Sequence, residues 1–126
     1  MEINTNNGFT LEETKEMQIY HLKAVRDNKE MEPVVYKGNR FDFDQKSYER
    51  ITAAIYALDI QGATSTINWT LADNGSAPVT ANDLRGVIAA AAVRSDALHT
   101  AYRALKAQVQ AAETVDEVNN IMWPED

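Results

Sequence analysis

An α+β fold, with two β-hairpins forming one small antiparallel sheet packed on a long α-helix and a shorter one, plus an N-terminal helical extension, is predicted by three observations. Two short β-rich stretches each carry a turn signal: Gly38-Asn39 within VVYKGNRFDF, and Asp73-Asn74-Gly75 within STINWTLADNGSAPVT. Apolar residues then recur at alternating steps of four and three from Leu84 to Ala112. Capping residues and Pro33 mark off two further helical stretches. A chain of 126 residues suits one domain with a real core.

Thr10 followed by Glu13 reads as a capping box that opens a charged helix over about 11–31. Its apolar positions, Leu11, Met17, Tyr20, Leu22 and Val25, form a ragged stripe suited to docking on something outside its own core. Glu32-Pro33 ends the helix, because the residue before proline is pushed out of helical geometry. Residues 1–33 are therefore read as an N-terminal helical extension that docks on a partner, 34–121 as the compact domain and 122–126 as an acidic tail.

In the first hairpin a Gly38-Asn39 turn sets Tyr36 opposite Phe41 and Val34 opposite Phe43, so these four side chains share one face. Asp44 is a natural N-cap for a helix to about residue 59, with Tyr48, Ile51, Ile55 and Leu58 on one side and Gly62 at its exit. In the second hairpin Ile67, Trp69 and Leu71 alternate with Asn68 and Thr70, the period of a half-buried strand. A turn with Gly75 left-handed places Ala77 opposite Leu71 and Val79 opposite Trp69, and Pro78 confines the return strand to a sheet edge. Thr80 and Asp83 form the next cap.

The long helix, about 81–112, spans roughly 45 Å at the rise of an α-helix. Its seam comprises Leu84, Ile88, Ala91, Ser95, Leu98, Tyr102, Leu105, Val109 and Ala112. One reading packs this seam within its own monomer. The other makes its C-terminal part, through Tyr102, Leu105 and Val109, the seam of a homo-oligomer or of a fibre partner. Trp69 reads as core. Trp123, in NNIMWPED, reads either as a tether onto the domain or as an anchor for a partner.

Composition excludes several chemistries. Zero cysteines removes thiol nucleophiles, disulfides and thiolate zinc sites. Net charge is −7, and Glu113, Asp116, Glu117, Glu125 and Asp126 contribute −5 of it without a compensating Lys or Arg, which disfavours a nucleic-acid partner. The opening MEINTNNGFTLEET lacks the cationic and apolar regions of a secretory signal, and no apolar run approaches spanning length, so no membrane insertion is expected. His21 and His99 lie in different helices without ligand-spaced neighbours, Asp42 and Asp44 are explained by alternation and capping, and the glycines are scattered. No catalytic, cofactor or metal residue is expected, and a small hydrolase is disfavoured because no nucleophile, base and orienting group stand together.

The collinear set YKGNRFDFDQKSYERI, INWTLADNG and VTANDLRGVIAAAAVRSDALHTAYRALKAQVQAAETVDEV resembles, over about residues 36–121, a tail-associated domain of unknown function. That domain occurs in tailed bacteriophages and their prophages, alone or at the ends of tail-fibre-assembly and other tail proteins. The matching features are the aromatic-Gly turn before Phe41 and Asp42, then Tyr48, Glu49 and Arg50, and Trp69 with Asp73-Asn74. Thr80, Asp83 and Leu84 follow, then Arg94, Leu98-His99, Leu105-Lys106 and the turn at 114–118. The resemblance implies a non-enzymatic tail accessory protein, either an adaptor in the tail, fibre or baseplate or a tail-fibre assembly chaperone. It places the protein in the virion tail or the infected host cytoplasm, with a tail fibre or baseplate protein as partner, and carries over no catalytic residue. The alternative is a phage-encoded cytoplasmic protein that binds a host partner through the acidic tail and Trp123.

Overall fold

The computed structural model describes residues 8–125. In chain order the elements are α1 (Leu11–Glu30), β1 (Val34–Tyr36), β2 (Asn39–Phe41), α2 (Gln45–Gln61), β3 (Ile67–Thr70), β4 (Ser76–Val79), α3 (Ala81–Ala111) and α4 (Val115–Asn120). The fold is α+β, with a long helix, shorter helices and an N-terminal helix. The strands form two separate two-stranded sheets, β1-β2 and β3-β4, where one sheet is expected from the sequence.

Both hairpins turn one residue earlier than expected. The first pairs Val34 with Phe41, Val35 with Arg40 and Tyr36 with Asn39, so its turn is Lys37-Gly38. The primed turn needs positive φ at both central positions, and Lys37 at 50° and Gly38 at 81° supply it. The Lys37 Nζ is engaged by the Asp83 carboxylate at 3.2 Å. The second hairpin pairs Ile67 with Val79, Asn68 with Pro78, Trp69 with Ala77 and Thr70 with Ser76. Here Asn74, at φ 68°, takes the left-handed place expected of Gly75. The Asp73 carboxylate accepts the Gly75 N–H at 2.8 Å, and the Leu71 N–H donates to the Gly75 carbonyl at 2.8 Å. Because each partner is displaced by two residues, side chains keep their faces; only an odd slip inverts them. Phe43 falls beyond β2 and leads into α2.

The chain divides into two compact units: a central one, Glu30–Asp96, and a terminal one that joins the chain up to Lys29 with the chain from Ala97 onward. This division differs from that expected at residue 33, and it cuts α3 between Asp96 and Ala97.

In the central unit the greasy faces of both hairpins rest on α2 and the first half of α3. Val34, Phe41, Ile51, Leu58, Leu71, Val79, Leu84, Val87 and Ala91 form the buried cluster, flanked by Tyr36, Phe43, Ile67, Trp69 and Ile88. Gly86 sits inside α3, where glycine costs about 1 kcal/mol relative to alanine. Its reason is Tyr36: a Cβ at residue 86 would lie 2.3 Å from the tyrosine ring. Asp44 caps α2 by accepting the Ser47 N–H at 2.8 Å, and the Gly62 N–H closes its end on the Leu58 carbonyl at 3.0 Å.

In the terminal unit α1, the second half of α3 and α4 enclose Leu22, Tyr102, Val109, Ala112 and Val118. The capping box of α1 is reciprocal: the Thr10 N–H donates to Glu13 Oε1 at 2.9 Å and the Glu13 N–H to Thr10 Oγ1 at 3.1 Å. Thr114 caps α4 through the Glu117 N–H at 3.1 Å, turning the expected turn at 114–118 into a short helix.

Candidate functional site

The sequence places nine residues on partner-facing surfaces, and the structure sorts them by burial. Leu22, Tyr102 and Val109 belong to the terminal unit's own core, with Leu11, Leu105 and Trp123 packed against it. Leu22 and Val109 are fully buried, which corrects their reading as partner-facing: the seam of α3 is closed by α1 and α4 of the same chain. Tyr102 is buried too, and the Arg26 guanidinium stacks 4.6 Å above its ring. Val25 is half-buried, while Met17 and Tyr20 point outward, Tyr20 with 77 % of its surface exposed.

Trp123 is a tether. Its indole N–H donates to the Leu22 carbonyl at 2.9 Å, and the Lys29 ammonium lies 5.9 Å from its ring. Gln18 Nε2 donates to the Ile121 carbonyl at 2.6 Å and Lys15 Nζ to the Gln110 carbonyl at 2.9 Å, so polar groups of α1 clasp the C-terminal part of the chain. With that side of α1 engaged, Met17 and Tyr20, three residues apart, share an outward face.

Sequence reasoning missed the central unit's exposed apolar side chains. Tyr56 and Ile60 of α2 stand at i, i+4 spacing, and Val93 of α3 also faces solvent. The signal was present, because Tyr56 and Ile60 fall outside the Tyr48, Ile51, Ile55, Leu58 stripe and have no core to enter.

Shallow clefts open on the central unit, and two of them adjoin its hairpins and helices. One, of about 280 Å³, is lined by Asp42, Ser47, Arg50, Asn68, Trp69 and Thr70 between the start of α2 and β3. The other, of about 230 Å³, lies between α2 and α3 and is lined by Glu30, Phe43, Tyr48, Ile88 and Ser95. Phe43 and Tyr48 meet there edge to face with centroids 5.8 Å apart. Ser95 Oγ donates to the Glu30 carboxylate at 3.2 Å. Beside it Arg94 gathers three carbonyls, of Glu30 at 2.7 Å, Glu32 at 2.8 Å and Pro33 at 3.1 Å. The Arg94 Nε is buried without a hydrogen-bond partner.

The displaced titrations belong to helix starts. Backbone N–H donation from Thr10, Ser47 and Thr80, respectively, holds the carboxyls of Glu13, Asp44 and Asp83 below the usual range. The hydrogen bond to Asp83 raises Lys37. These groups serve capping and one surface ion pair, and none of them lies beside a second displaced carboxylate as an acid-base pair would. Among the described residues no group of three or more His, Asp or Glu is placed to hold a metal ion, and no helix is long and apolar enough to cross a membrane.

The fold defines a small α+β domain whose open features are strand edges, shallow clefts and outward apolar side chains. The chain belongs to the family described as a domain of unknown function, DUF4376, whose family model matches residues 13–122. The match begins within the first turns of α1, so that helix lies inside the family region. The chain matches no curated protein and no solved structure.

Proposed function

We propose that the protein is a non-enzymatic accessory protein of bacteriophage tails, acting as an adaptor in the tail, fibre or baseplate or as a tail-fibre assembly chaperone. The collinear residues of the tail-associated resemblance support this reading, and one structural observation carries its contact chemistry. On α1, Met17 and Tyr20 remain 52 % and 77 % exposed although the same helix is anchored along another side. A large amphipathic aromatic beside a flexible thioether, held on a rigid helix, is the composition of an interaction anchor. Its partner is a tail fibre or baseplate protein, and its place is the virion tail or the infected host cytoplasm.

Mass spectrometry of washed virions, paired with affinity capture from infected cells, tests this. Recovery in virions makes it an adaptor, and capture of fibre protein only before assembly makes it a chaperone. Tyr20→Asp reduces either recovery while leaving the melting temperature near that of the wild type. Capture of host proteins in place of tail proteins replaces this reading with that of a host-binding protein.

A further inference from the structure

We propose that the open edge of β3 is a docking site for an extended segment of a partner polypeptide, which adds to it as a strand. The inference rests on the reading of this chain as a contact protein and names the form its partner takes at one site.

Pairing geometry makes the edge visible. The Leu71 N–H bonds the Gly75 carbonyl at 2.8 Å, so in this antiparallel ladder Leu71, Trp69 and Ile67 direct their backbone groups toward β4. Asn68 and Thr70 direct theirs the other way, as does Ala72, whose N–H is taken by the Arg40 carbonyl at 2.9 Å. Beyond that bond the hairpins part. β2 ends at Phe41, the chain turns at Asp44 into α2, and the cleft of about 280 Å³ lies where a continued β2 would pair with Asn68 and Thr70. The two separate sheets thus touch through one backbone bond, and an open place lies beside β3.

The opposite edge of the same hairpin is blunted. Pro78 faces Asn68 across a pair without ladder bonds, so its missing N–H would have pointed outward from β4. Proline at such a place discourages strand addition, and β3 carries no equivalent. What fits the vacant place is an extended backbone, which offers N–H and C=O groups in the same two-residue alternation. Thr70 and Asn68 favour β-branched and hydroxyl neighbours across the pair, Trp69 supplies an apolar floor, and Asp42 with Arg50 offers one charge of each sign. The occupant is therefore a Thr- and Val-rich segment of low net charge.

Amide hydrogen exchange on the full chain tests this, with the blocked peptide acetyl-Thr-Val-Thr-Val-Thr-amide as probe at millimolar concentration. In the chain alone the Asn68 and Thr70 amides exchange at least about tenfold faster than those of Trp69 and Leu71. The peptide slows them about fivefold or more, and the same peptide N-methylated at alternate residues does not. Thr70→Pro, which copies on β3 the device already present on β4, abolishes the effect and keeps the wild-type melting temperature; the N-methylated peptide decides the matter should that variant unfold. Protected Asn68 and Thr70 amides in the chain alone, or a peptide effect that survives N-methylation or is absent, overturns the proposal. Tail proteins recovered at wild-type yield by a folded Thr70→Pro variant would also overturn it, while leaving the contact function standing.

Discussion

The central and terminal units solve the problem of a small core differently. The central unit fully buries Phe41, Ile51, Leu58, Leu84 and Val87, drawn from strands and helices, and relies on shape. Among the described residues the terminal unit fully buries Leu22, Val109 and Val118 of its larger side chains, and supplements them with ties between distant parts of the chain. Those ties are Trp123 to Leu22, Gln18 to Ile121, Lys15 to Gln110 and the Arg26 guanidinium over Tyr102. Where apolar area is scarce, directional contacts of about 1 kcal/mol each make up a larger share of a unit's net stability.

Each unit holds one tryptophan, Trp69 in the central and Trp123 in the terminal, so the two cores can be probed separately, residue by residue. Phe41→Ala should have the largest effect, about 3–5 kcal/mol, read in urea through Trp69. Leu22→Ala should cost about 2–5 kcal/mol, read through Trp123. Equal shifts of both reporters by either variant would mean that the two cores melt as one. Gly86→Ala comes next: crowding against the Tyr36 ring costs about 1–3 kcal/mol, against a gain in helix propensity of about 1 kcal/mol. Combining it with Tyr36→Ala should turn the change stabilising, and a destabilised double variant would refute the assigned contact. Trp123→Phe, which removes the terminal reporter and is followed by far-UV circular dichroism, should cost about 1 kcal/mol through the lost bond to Leu22, with the Trp69 transition unmoved.

The smallest expected effect is that of acid. Glu13, Asp44 and Asp83 have folded-state pKa values below their unfolded ones, so their contribution is present above the ordinary carboxylate range and is lost as pH falls through the folded values. Lys37 is raised, so its contribution is full below the ordinary lysine value and fades as pH rises through the folded one. Two of the three lowered carboxyls lie in the central unit, and its Trp69 transition should be the more acid-sensitive of the two.

Much of this fold is legible in the sequence because local chemistry decides it. Thr10 with Glu13, Asp44, and Thr80 with Asp83 cap helices where their spacing says they do, since a capping bond involves only residues three apart. The seam of α3 is buried at Leu84, Ala91, Tyr102, Val109 and Ala112, where the period places it, while the fully buried Val87 lies outside the expected set. What is not legible depends on the rest of the chain. Which residue begins the first turn is not written locally: both registers keep the same faces, and the one adopted sets buried Phe41 opposite buried Val34 and brings Lys37 to Asp83. Periodicity likewise says that Tyr102 and Val109 need a cover without saying whose, and the cover is α1 and α4 of the same chain. The edge of β3 is hidden for the same reason, because it exists only once β2 has turned away.

Arg94 sets a timetable for folding. The carbonyls at the close of α1 and the entry to β1 are held by a side chain 64, 62 and 61 positions later in the chain. During synthesis the first hairpin emerges well before this guanidinium does, so the carbonyls of Glu30, Glu32 and Pro33 gain their partner only after most of the central unit has been made. Contacts of such sequence separation slow the search for the native state. The passage from helix to hairpin should therefore be among the last parts of the molecule to become ordered, a delay that Arg94→Lys, with one nitrogen in place of a fork, would lengthen.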